Sequence, residues 1–132
     1  MSAAKASSSR SYRPTPLFAI DHALLNKNLL RASLDTSWST WITALRAAYG
    51  LPLFRSERSV FRQAAGDREP PRDRVDEFWA IVGRRGGKLR TAASIGVHAA
   101  CCVPHHLAAG EIGEVAIVAG SREQAGVIFS YS

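Results

Sequence analysis

Three glycines, two arginines and a lysine crowd into "VGRRGGKL", residues 82–89. A turn of this kind can present backbone N–H groups to an anion. Gly83, Gly86 and Gly87 let the chain come close, and Lys88 reaches outer phosphate oxygens. The apolar run "EFWAIVG" before it and the small-residue run "KLRTAASIGVHAACCV" after it supply the strand-then-helix setting a phosphate loop needs. Against the pattern G-x-x-x-x-G-K-[ST], the first position is Val82 and the last is Leu89. The hydroxyl normally found at that last position ligates Mg2+, and leucine ligates nothing. Losing one contact to a charged centre costs about 1.5–3 kcal/mol, so binding weakens by roughly one to two decades. Thr91, two residues on, is turned to another helix face. Two readings stand side by side: a compromised nucleotide loop, and a tight basic turn whose arginines are solvated.

The elements around the turn follow from spacing. Leu17, Ile20, Leu24, Leu25, Leu29 and Leu34 recur near a helical period and predict a first helix over about 18–33. In "DTSWSTWITALRAAYG", Asp35, Thr36 or Ser37 can cap a second helix. Trp38, Trp41, Ile42 and Leu45 form its apolar face, and Gly50 ends it. "SERSVFRQAAG" predicts a third helix over about 56–65, stopped by Gly66. Buried parallel strands are expected at about 77–82 and 114–119, with a helix over about 88–103 between them and another helix beginning in "SREQAGVIFSYS". The fold class expected is therefore α/β: N-terminal helices followed by an incomplete P-loop NTPase-like parallel βαβ unit with a right-handed crossover. The organisation expected is a disordered basic tail over 1–16, a helical lead-in over 17–65 and a partial P-loop ATPase domain over 66–132. Two strands alone leave edges and a face uncovered, which predicts poor solubility or partner-dependent folding.

Composition narrows the partners. The 132 residues carry 17 Lys and Arg against 11 Asp and Glu, a net charge of +6 that favours polyanions. A hydrophobic share of 46% with 21% charged residues excludes general disorder. Cys101 and Cys102 are adjacent, which suits neither a disulfide framework nor a metal-ligand spacing, and a reducing cytoplasm is expected. No apolar run nears the ~20 residues of a membrane span, so a soluble chain without membrane contact is expected. The acid-free opening "MSAAKASSSRSYRPTP" has the composition of a frayed basic tail or of a transit peptide.

The run "AAGDREPPRDRVDEFWAIVGRRGGK", followed closely by "AAGEIGEVAIVAGSREQAGVIFSY", resembles the N-terminal ATPase region of phage terminase large subunits, the motors that pump DNA into viral heads. The resemblance covers about 17–132 and is densest over 64–131. It implies that residues 83–88 form the phosphate loop, with Lys88 on the β- and γ-phosphates. It makes Arg84 or Arg85 the arginine that steadies charge developing at the γ-phosphate. It puts Arg62 and Gln63 where relatives contact adenine, and residues 121–124 at the motif facing the DNA track. Its implied cofactors are ATP and Mg2+. Its implied partners are double-stranded DNA and other terminase or portal subunits, with a homo-oligomer possible, in the cytoplasm of a bacterial host.

The chain departs from that family at Leu89. It also shows no apolar run ending in Asp-Glu after the loop, and no nuclease carboxylate cluster. The expectation is thus a truncated terminase large subunit that does not itself hydrolyse ATP. The alternative is a non-enzymatic prophage remnant or a small basic nucleic-acid-binding module. "LFAID" imitates the acidic motif, but Asp21 precedes the loop and reads as charge compensation at a helix start. His105 and His106 have no third ligand at metal spacing, and His22 and His98 read as packing or surface residues. The cysteines read as core packing. A helix-turn-helix reading of the first two helices is weakened by Trp38 and Trp41, which look like a buried face.

Overall fold

The computed structural model describes residues 16, 19–25 and 38–130. Five helices follow one another: α1 Ile20–Leu25, α2 Ser39–Ala48, α3 Arg55–Ala65, α4 Lys88–Cys102 and α5 Arg122–Ser130. Residues 1–15 of the tail expected over 1–16, residues 18 and 26–33 of the first predicted helix and the caps proposed at 35–37 lie outside the described residues.

Local chemistry sets the helix ends. The Glu57 carboxylate accepts the Phe54 backbone N–H at 2.8 Å, satisfying a donor at the start of α3. Gly66, at φ 67°, ends that helix in the left-handed conformation, and the Asp67 N–H closes back on the Arg62 carbonyl at 3.0 Å. At α5 the Ser121 hydroxyl accepts the Gln124 N–H at 3.3 Å. The Glu123 carboxyl is held below the usual carboxylate range by its own backbone N–H and by the Ser121 hydroxyl.

The helices share a small core. Helix α2 packs on α1 and α3, while α4 packs on α1 and α5. Ile20, Leu24 and Leu45 are buried together, with Tyr49, Leu51 and Ile95 against them. Arg46 of α2 binds these elements by charge. Its guanidinium hydrogen-bonds the Asp21 carboxylate of α1 and the Pro52 carbonyl, lies 3.3 Å from Glu57 of α3 and stacks 4.8 Å from the centroid of the Phe54 ring. Asp21, expected only to compensate a helix dipole, is the partner of this cation.

The α/β expectation is overturned. Among the described residues every regular element is helical, and no parallel βαβ unit forms. Residues 77–83 and 111–119 run outside any helix or strand. The physical reason is that strand character is cooperative: an apolar, β-branched run becomes a strand only where a neighbour completes its ladder. Here none does. Val115 lies against α4, where a Cβ added to Gly96 would meet its Cγ1 at 3.5 Å, but Trp79, Ile81, Ile112 and Val118 are exposed. The helix between these segments, expected over 88–103, is present as α4.

Candidate phosphate-binding site

The glycine turn leads directly into α4. Gly86 N–H bonds the Gly83 carbonyl at 3.4 Å across the turn. Arg85 takes φ 59° and Gly87, the N-cap residue, takes φ 78°. Lys88 is then the first residue of a 15-residue helix. The first bond of that helix runs from the Thr91 N–H to the Gly87 carbonyl at 3.0 Å, so the amides of Lys88, Leu89 and Arg90 precede the regular ladder. The first turn of α4 carries no acidic residue. Arg84, Arg85 and Lys88 are all exposed around this end, and the partial positive charge of the helix start adds to theirs.

Two tryptophans of α2 hold the turn in place. The Trp41 indole Nε1 donates to the Gly86 carbonyl at 2.7 Å. A Cβ at Gly87 would stand 3.1 Å from Trp38 and 3.3 Å from the Trp41 indole nitrogen; at Gly86 it would meet Val82 Cγ1 at 2.4 Å. Both glycines are therefore required by close approach, and Gly87 by its backbone as well. The Arg90 guanidinium lies 5.5 Å from the Trp38 ring centroid and completes the collar. Sequence reasoning placed both tryptophans on a packing face but missed what they pack on. No short-range signal links positions 45 residues apart.

Beside the turn runs a groove of about 540 Å3 between α2, α3 and residues 77–82, walled by Trp41, Phe61, Phe78 and Val82. It shares Val82 and Trp41 with the surroundings of the turn. Arg62 and Gln63, the pair implied to contact adenine, do not line it. They face a separate depression with Arg55, Arg58, Ser59 and Asp67, and Arg62 also pairs with Glu69, which lines the first groove.

The remaining candidates fall away from the turn. Leu89 is half-buried, while Thr91 is buried at 2% exposure with its hydroxyl turned inward and unpartnered, out of reach of any ligand on the turn. His98 is buried with its ring edge-on to Tyr49, the centroids 5.3 Å apart. His105 is exposed and its Nε2 contacts the Ala99 carbonyl at 2.7 Å near the end of α4. Cys102 packs in the interior, whereas Cys101 is exposed. Among the described residues no group of three His, Cys, Asp or Glu is placed to hold a metal ion, and no helix is long and apolar enough to cross a membrane.

Set against protein-family models, curated proteins and solved structures, the chain matches none.

Proposed function

We propose that residues 83–88 bind the phosphates of a nucleotide, and that the chain is a terminase-like ATPase segment which binds ATP weakly and does not hydrolyse it. The observation that carries the reading is the junction at Gly87 and Lys88: a glycine turn delivers a lysine and two arginines to the start of a long helix whose first turn carries no acidic residue. The groove beside it gives a planar base an apolar wall. ATP is the cofactor of this reading, with Mg2+ held poorly because Leu89 offers no oxygen. Double-stranded DNA and terminase or portal subunits belong to the same reading as partners of the family's motors.

Thermal melts of the purified chain with millimolar ATP test it. The expected result is a rise in Tm that Lys88→Ala removes and Leu89→Ser enlarges only when Mg2+ is present. No shift in either the parent or Leu89→Ser would overturn nucleotide binding. ATP turnover above background, abolished by Lys88→Ala, would overturn the non-hydrolytic half.

The shared exposure of Arg84, Arg85 and Lys88 favours a second reading, a basic module that takes nucleic-acid phosphates at the same turn. It predicts affinity for DNA or RNA that falls steeply with salt, and no response to ATP.

A further inference from the structure

Two segments flanking α4 leave four large apolar side chains almost wholly exposed. In the first, Trp79 is 87% and Ile81 fully exposed, while Phe78 and Val82 turn partly inward. In the second, Ile112 and Val118 are 85% and 94% exposed, while Val115 and Ile117 are the more sheltered. The most exposed apolar side chains of each segment thus share one parity, Trp79 and Ile81 in the first and Ile112 and Val118 in the second, leaving each with one bare apolar side. No backbone hydrogen bond among the described residues uses the amides or carbonyls of residues 77–82 or 112–119.

We infer that these segments form a self-association surface, in which residues 77–82 of one copy pair antiparallel with residues 115–120 of a second copy. One register satisfies both sequences. It sets Trp79 against Val118, Ile81 against Ala116, Ala80 against Ile117 and Val82 against Val115, so bare sides meet bare sides. The same register brings the basic turn that follows the first segment, with Arg84 and Arg85 exposed on it, to the acidic end of the second at Glu114. Parallel pairing with the same faces matched separates these opposite charges and brings Glu77 towards Glu111 and Glu114 instead. Twofold symmetry forms the contact twice, as an isologous interface demands. Trp79, Ile81 and Val118 supply on the order of 450 Å2 per copy, over half of the ~800 Å2 per partner of stable interfaces.

The test is sedimentation equilibrium on the full chain and on two charge reversals, Arg85→Glu and Glu114→Arg. The parent is expected to dimerise. Each reversal alone places two like-charge contacts in the homodimer and weakens association by about tenfold. Mixing the two variants in equal amounts restores association, because their heterodimer has one native pair and one reversed but opposite pair. A contact within one chain cannot be rescued by mixing. A parent that stays monomeric at high concentration, or single variants that associate as the parent does, would overturn the inference. Circular dichroism of each variant, showing parent-like helicity, guards against loss of folding.

Discussion

The Trp41 indole on α2 donates a 2.7 Å hydrogen bond to the carbonyl oxygen of Gly86, tying the helical lead-in to the glycine turn at the mouth of α4. The bond fixes one carbonyl of a turn that is also closed on itself by the Gly86 N–H on the Gly83 carbonyl. It also makes the shape of the turn a property of the whole helical assembly.

Trp41→Phe keeps the ring on α2 and deletes the donor. The expected loss is about 0.5–1.5 kcal/mol in urea denaturation, the net worth of one hydrogen bond. ATP affinity is expected to fall in the same variant, because the turn loses its anchor. Unchanged stability with unchanged nucleotide response would show that the bond does not position the turn.

Gly87→Ala acts on the same place by a different route. A Cβ there must adopt φ 78° and meet Trp38 at 3.1 Å and the Trp41 nitrogen at 3.3 Å. The left-handed conformation alone costs about 1–2 kcal/mol for an L-residue, and the tryptophans must also give way. The combined loss is expected to exceed that of Gly66→Ala, where φ is 67° but nothing lies within 4 Å of the added atom. Equal losses in the two variants would mean that the tryptophan contact contributes nothing.

These two glycines also show what the sequence could carry. Gly66 after a helical period and the glycines ahead of Lys88 are local signals, and α3 and α4 lie within a residue of the bounds read from them. The strand readings at 77–82 and 114–119 failed because strand formation depends on a partner ladder, and periodicity describes only the segment itself. Asp21 does stand in the first turn of α1, where dipole compensation needs a carboxylate, but its pairing with Arg46, 25 positions away, leaves no local signal. The turn of the candidate site was legible; the tryptophan collar behind it was not.

Arg46 is the next test of that long-range order. Its guanidinium meets Asp21, Glu57 and the Pro52 carbonyl at once, and its side chain is only 12% exposed. Arg46→Met leaves two sheltered carboxylates without their cation and is expected to cost about 2–4 kcal/mol. Arg46→Lys keeps the charge but has no fork to span three partners, so it should recover less than half of the loss. Full recovery by lysine in chemical denaturation would reduce the guanidinium's role to charge alone.

Tyr49 supplies a prediction in pH. Burial pushes its phenol above the usual value near 10.0, with the Arg74 guanidinium, 4.9 Å from the ring centroid, pulling the other way and the Cys102 thiol adding a smaller upward push. A raised folded value means that the folded state holds the phenolic proton more tightly than the unfolded chain does. The stabilisation is therefore complete below the unfolded value and is lost as pH rises from there through the higher folded one. Tyr49→Phe has no proton to lose. Unfolding free energies of parent and variant, measured from pH 8 upward, should run parallel below about pH 10 and diverge above it, the parent falling faster. Parallel curves throughout, with phenolate absorbance of the folded parent rising at the unfolded value, would show that the Tyr49 hydroxyl reaches water and that the packing of Tyr49 against His98 on α4 is looser than the 5.3 Å ring contact describes.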